Sequence, residues 1–153
     1  VQTCALPISS AWGVHFWMVG PRALFVRFTK RRTKDFTAAL MSRTVKPSHW
    51  QYVGASYDHS TGMAKLFVGG RLVSRKRIGR IRLATNYPAR MGVRIGDGRY
   101  FRGRISCLQV YSAPLNARQI AARAKRCFVP GKLLFFFFHL HFETRPLSYN
   151  FFQ

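Results

Sequence analysis

Residues 50–77 have the sequence WQYVGASYDHSTGMAKLFVGGRLVSRKR, which contains three extended patterns separated by two turns. In the first two patterns, every second residue is apolar on one face. That face carries Val53, Ala55, Tyr57, Ala64, Leu66 and Val68. Residues 58–62, DHSTG, have a turn composition, and Gly69-Gly70 can adopt the positive φ angles of a tight hairpin. The stretch therefore predicts three consecutive strands joined by turns.

Outside this stretch the sequence predicts more short strands and one helix. A hairpin is expected from Ala23–Thr29 and Phe36–Ser42, with residues 30–35 as its loop. Two further strands are expected over Met91–Ile95 and Tyr100–Tyr111, the second with a bulge near residues 106–107. Asn116 with Gln119 predicts a capped helix over residues 117–125. Short strands at intervals near ten residues, with one late helix, predict an all-β antiparallel sandwich or barrel.

The composition limits the classes of function. The 153 residues include 26 Lys and Arg but only 4 Asp and Glu, which gives a formal charge of +22. Four scattered acidic residues leave little with which to build the paired carboxylates of a glycosidase. A hydrophobic content of 48% is too high for a disordered basic tail, so a packed core is expected. The charge itself favours polyanionic partners: nucleic acid, anionic lipid or sulfated glycan.

The two ends differ in pattern from the middle. Residues 1–8, VQTCALPI, can be back-translated to GTT CAG ACG TGT GCT CTT CCG ATC, which resembles a sequencing-library adapter, and we interpret them as non-biological. Residues 9–22 remain unassigned. Residues 128–153 lack periodicity and are interpreted as a non-homologous tail outside the sandwich, the alternative being a C-terminal strand that packs on the core. The apolar run in this tail is too short to span a membrane.

Several motifs in order resemble one family. They are WQYVGASYD (50–58), TGMAKLFVGGRLV (61–73), VRIGD (93–97), YFRGRISCLQVY (100–111) and PLNARQI (114–120). Together they are similar to the laminin G-like domains of the concanavalin A-like lectin/glucanase superfamily. The resemblance covers residues 23–127 and implies a jelly-roll β-sandwich, here truncated at the front. It also implies an extracellular adhesion module of a larger protein, which binds glycans or proteins and has no catalytic activity.

The resemblance implies two structural sites. Cys107 and Cys127 are expected to form a disulfide; two free buried thiols are the alternative. Some relatives bind calcium through a rim Asp and backbone carbonyls, so Asp97, or else Asp58, is a candidate ligand. Neither has an acidic neighbour, and a turn-capping Asp is the simpler interpretation. No other cofactor is expected.

The richest basic run, SRKRIGRIR at residues 74–82, is the candidate site for a sulfated polyanion. Its cations are Arg75, Lys76, Arg77, Arg80 and Arg82. In an extended chain Arg75 and Arg77 share one face and could present guanidinium groups to sulfate or phosphate oxygens. A solvated charged face is the alternative. We expect a non-enzymatic extracellular module that binds glycans or glycoproteins, with an intracellular nucleic-acid-binding β-protein as the alternative.

Overall fold

The structure is a computed structural model that describes residues 2–5, 13–31, 37–85, 91–92, 101–127 and 138–142, with the backbone alone for the first and last of these ranges. These ranges form nine strands and one helix. The strands are β1 (Gln2–Ala5), β2 (Val14–Val19), β3 (Ala23–Phe28), β4 (Leu40–Ser42), β5 (Gln51–Asp58), β6 (Met63–Val68), β7 (Arg71–Arg77), β8 (Gly103–Cys107) and β9 (Phe138–Phe142), and the helix is α1 (Ala117–Arg126).

The strands form two antiparallel sheets that pack on each other. One sheet has the order β1-β2-β3-β4, and the other has the order β7-β6-β5-β9-β8. Side chains from both sheets meet in one core, in which Val26 of β3 and Ala64 and Leu66 of β6 have no exposed surface. The alternation seen in the sequence places these residues on the inner face of each sheet. The predicted antiparallel sandwich is therefore confirmed.

The hairpin between β6 and β7 has the predicted glycine turn. Gly69 and Gly70 have φ angles of 60° and 76°, a region that few other residues adopt. A Cβ atom on Gly70 would lie 3.0 Å from the Cα of Ala121, so this glycine also allows α1 to approach the turn. The register of β7 against β6 shifts between Leu66 and Phe67. Such an irregularity changes which side chains stand opposite each other along the hairpin.

Helix α1 covers part of the outer face of the five-stranded sheet. The side chain of Asn116 accepts a hydrogen bond from the N–H of Gln119, and the side chain of Gln119 accepts one from the N–H of Asn116, both at 2.9 Å. This completes the predicted capping box. The helix buries Ile120 and Ala124 against Tyr52 and Phe67 in a second apolar cluster. The cap therefore sets where α1 begins, and the apolar contacts hold the helix against the sheet.

A disulfide joins Cys107, at the end of β8, to Cys127, directly after α1. The Cα atoms of the two cysteines are 6.2 Å apart, a normal separation for a bonded pair. The bond thus connects the end of the helix to the sheet, as the family resemblance implied.

The structure differs from the sequence predictions at several strands. β1, from the segment interpreted as non-biological, pairs with β2, and β9, from the tail expected to lie outside the sandwich, lies between β5 and β8. The five residues of β9, FHLHF, do alternate apolar and polar side chains, but the apolar run LLFFFF that leads into them hides this short pattern. Pairing with neighbouring strands also satisfies the backbone groups of both end strands. The structure contains the C-terminal strand that the sequence left as an alternative. Where the domain begins and ends, and whether residues 1–8 are biological, stay predictions.

Two predicted strands in the second half of the chain are also altered. β8 ends at Cys107, which has a φ angle of 65°, so the strand expected over residues 100–111 is shorter than predicted. A positive φ interrupts the extended backbone that pairing requires. Residues 91–92 are not part of a strand, and the rest of the strand expected at 91–95 lies outside the described residues.

Candidate functional site

The predicted basic residues lie on β7 and on the loop that follows it. All five cations are exposed: Arg75, Lys76, Arg77, Arg80 and Arg82. The structure does not bring them onto one surface. Alternation along β7 leaves Arg75 and Arg77 on one face and places Lys76 on the other. Arg80 and Arg82 lie in the following loop, beside residues 30–31.

The first basic group lies on the outer face of the five-stranded sheet. Arg75 is directly opposite Lys65 of β6, and Arg77 is opposite Met63. Lys76 is opposite Ala64, which is buried in the core, so Lys76 belongs to the other face of the strand. Directly opposite residues in an antiparallel pair share a face and have neighbouring Cβ atoms. We call Lys65, Arg75 and Arg77 the β7 face.

Lys65 was not among the predicted site residues, because it is a single cation between apolar residues and lies outside the basic run at 74–82. Its alternation with Ala64 and Leu66 already placed it on the outer face. The pairing with Arg75 additionally required the register of the hairpin, which the irregularity between Leu66 and Phe67 displaces by one residue. The local sequence pattern therefore predicts that Lys65 lies on the outer face, whereas its pairing with Arg75 depends on the register of the hairpin.

The loop after β7 is held in place by Tyr57 of β5. The Tyr57 hydroxyl accepts a hydrogen bond from the N–H of Ile81 at 2.7 Å and donates to the carbonyl oxygen of Gly79 at 2.9 Å. Gly62 lies against the same loop: a Cβ atom there would be 2.8 Å from the carbonyl carbon of Gly79. Its φ angle of 69° also favours glycine. The backbone that carries Arg80 and Arg82 therefore has a defined position.

The second basic group lies where this loop meets the chain segment that follows β3. Lys30 and Leu83 form an isolated antiparallel bridge. The N–H of Arg31 donates to the carbonyl oxygen of Arg82 at 2.7 Å, and the N–H of Ala84 donates to that of Thr29 at 3.0 Å.

The two segments enclose a half-open cleft of about 290 Å³. The described residues that line it are Lys30, Arg31, Arg80, Ile81 and Arg82, and we call it the bridge cleft. Lys30 and Arg31 were not among the predicted site residues, because no local pattern relates them to residues 80–82.

Among the described residues, one acidic side chain lies near this region. Asp58 is the acidic residue that the described ranges contain. Its carboxylate accepts hydrogen bonds from the N–H and hydroxyl of Ser60, at 2.9 and 2.6 Å, and from the hydroxyl of Thr61 at 2.8 Å. These hydrogen bonds, those of the two side chains first, lower the pKa of Asp58 to about 2. The carboxylate is thus used within its own turn, as the turn-capping interpretation predicted.

The candidate calcium ligand Asp97 lies outside the described residues, so its role stays a prediction. Within the ranges that the structure describes, no three His, Cys, Asp or Glu side chains form a group that could hold a metal ion. In the same ranges, no helix is long and apolar enough to cross a membrane.

Two packed antiparallel sheets, covered in part by helix α1, define the protein as a β-sandwich. Over residues 4–121 the sequence matches a laminin G-like family described as the concanavalin A-like lectin/glucanases superfamily. The chain belongs to this superfamily, and the resemblance seen in the sequence is confirmed. Members often bind carbohydrates or extracellular proteins, and most are binding modules. No curated protein matches the chain.

A solved structure matches part of the chain. It comprises residues 221–444 of an S-layer domain-containing protein from Clostridium thermocellum. The match has a TM-score of 0.46 and 12% sequence identity, and it covers 72% of this chain and 55% of the other. The chain thus spans about half of that structure.

Proposed function

We propose that this protein is a non-enzymatic extracellular recognition module that binds glycans or glycoproteins, sulfated glycans in particular, through its exposed cations. The observation that carries the proposal is that all five predicted cations are exposed. The acidic residue described near them, Asp58, is hydrogen-bonded to Ser60 and Thr61. Exposed guanidinium groups can form paired hydrogen bonds with sulfate oxygens.

The β7 face gives this proposal an energetic basis. Lys65 and Arg75 are directly opposite each other across two strands, and like charges in that position repel. A sulfated chain lying along the face would replace this repulsion by attraction to both cations. Arg77 lies two residues further along the same face and extends the surface in the direction of the strand.

The non-enzymatic part of the proposal is supported by chemistry. Glycan hydrolysis in most families requires two carboxyl groups about 5–10 Å apart. Asp58 has no acidic partner within the described ranges, and its lowered pKa is unsuited to a general acid. The Cys107–Cys127 disulfide supports an extracellular location, because such bonds persist in oxidising compartments.

A salt-dependent binding experiment tests the proposal. We expect the protein to bind heparin more tightly than DNA of matched charge density. The double variant Arg75→Gln/Arg77→Gln should flatten the slope of log affinity against log salt by roughly 1.5–2 units, because about one counterion is released for each ionic contact.

The matched control is Arg22→Gln/Arg43→Gln, which removes the same charge from two exposed positions next to strands of the other sheet. This control should change heparin affinity much less. Tighter binding of DNA than of heparin would instead support the nucleic-acid alternative. Equal binding of the two would leave only nonspecific attraction, and equal effects of the two double variants would remove the β7 face as the site.

A further inference from the structure

The bridge cleft differs from the β7 face in being concave and in drawing its cations from two segments that are distant in the chain. Lys30 and Arg31 follow β3 of one sheet, whereas Arg80 and Arg82 follow β7 of the other. Among the described residues, four basic ones line a volume of about 290 Å³, close to the smallest volumes that hold small ligands. An extended surface attracts a long polyanion, but a cleft of this size suits one charged group and the sugar that carries it.

The bridge places two arginines against each other. Because Lys30 is opposite Leu83 in an antiparallel bridge, Arg31 is opposite Arg82. The backbone hydrogen bond from Arg31 to Arg82 fixes this pair at 2.7 Å between the nitrogen and the oxygen. Directly opposite like charges are destabilising, and a ligand with negative oxygens between the two guanidinium groups would remove the repulsion.

The cleft is also held in shape before any ligand binds. The lining residue Ile81 is 9% exposed, and its N–H donates to the Tyr57 hydroxyl. Arg80 donates from Nε to the carbonyl oxygen of Ser60 at 2.8 Å, which orients the two terminal amino groups of its guanidinium. Ordering side chains in advance lowers the entropic cost of binding.

We propose that the bridge cleft binds a single sulfate or phosphate monoester group, held between Arg31 and Arg82 with Lys30 and Arg80 beside it. The inference rests on the proposed function, because it names the chemical group of the glycan that the module recognises. That group is an accessible sulfate or phosphate ester, and charge density alone is not enough. Long sulfated chains then use both the cleft and the β7 face, whereas a short esterified sugar uses the cleft.

Short probes separate these two sites. The probes are N-acetylglucosamine 6-sulfate, glucose 6-phosphate and uncharged N-acetylglucosamine, each titrated by calorimetry at low salt and in parallel with heparin. We expect both esters to bind the parent protein and the uncharged sugar to bind at least tenfold more weakly. Preference for the sulfated or the phosphorylated sugar identifies the source of the ester, and either preference supports the cleft.

Two variants with equal loss of charge complete the test. Arg31→Gln/Arg82→Gln should weaken binding of the short esters at least tenfold, and Arg75→Gln/Arg77→Gln should weaken it less than twofold. Because the cleft variant removes a like-charge pair, it should unfold at the same temperature as the parent or a higher one in low salt, so lost binding would not reflect lost folding. A Lys30→Gln variant leaves both arginines in place and should lose less affinity for the short esters. Because it also changes a side chain at the bridge, it controls for a structural effect there.

The outcomes distinguish the two proposals. Equal weakening by both double variants would show diffuse attraction and overturn the cleft site while leaving heparin binding in place. Absence of short-ester binding in a parent protein that binds heparin would also overturn the cleft alone. Absence of both would overturn the proposed function together with the cleft.

Discussion

The outer face of the five-stranded sheet differs between its two ends. At one end Phe67 of β6 is fully buried beneath Ile120 and Ala124 of α1. At the other end, two residues earlier on the same face of the same strand, Lys65 stands beside the exposed Arg75. The register shift between Leu66 and Phe67 separates the two ends. One strand face can therefore serve packing at one end and remain available to solvent at the other.

The largest expected effect comes from the helix-covered end. Phe67→Ala removes a fully buried ring and should lower the free energy of unfolding by about 3–5 kcal/mol, measured by chemical denaturation. Met63→Ala, on the same face of β6 but at the cationic end and only half-buried, should cost much less. Similar losses for the two variants would show that the two ends do not differ in packing.

Loss of the disulfide should be the next largest effect. Cys107 and Cys127 are 20 residues apart in the chain, and opening a loop of this length costs about 3 kcal/mol in the chain-entropy model. The double variant Cys107→Ser/Cys127→Ser should therefore unfold at lower denaturant concentration than the oxidised parent. Reducing agent should shift the parent and leave the variant unchanged. A variant as stable as the oxidised parent would contradict the expectation.

Alkaline pH should act on the helix-covered end. Burial, with a smaller contribution from Tyr111 and opposed by Arg123, raises the pKa of Tyr52 to about 12. A raised pKa in the folded state means that the neutral form stabilises the fold below about pH 10 and that this stability is lost as the pH rises through about 12. The loss should amount to roughly 2 kcal/mol. Tyr52→Phe should remove this part of the alkaline loss in urea unfolding, and an unchanged pH profile would contradict it.

Acid should act on the cationic end, with the smallest effect of the four. The lowered pKa of Asp58 means that its charged form stabilises the fold above about pH 4 and that this stability is lost as the pH falls through about 2. Asp58→Asn should lack that part of the acid loss while behaving like the parent in alkali. If Asp58→Asn and the parent lose stability equally between pH 4 and 2, the hydrogen bonds from Ser60 and Thr61 do not act as described.

The sequence predicted best where the determining contacts are local. The glycine turn at Gly69-Gly70 and the capping box at Asn116 depend on residues within a few positions of each other, and both are present in the structure. The strand β9 depends on partners distant in the chain, and its five alternating residues, FHLHF, are too few to stand out beside the apolar run before them. The same reason applies to Arg31 beside Arg82, since an isolated bridge has no repeating side-chain pattern.

The position of β7 at the edge of its sheet has a separate consequence for handling the protein. An edge strand presents unpaired backbone groups to which a strand of another molecule can add, and charged side chains along it oppose such addition. Arg71, Arg75 and Arg77 are exposed on this strand, which is an edge among the described residues, so we expect them to oppose such addition. Variants that neutralise them should be tested for self-association by light scattering before any change in their binding is interpreted.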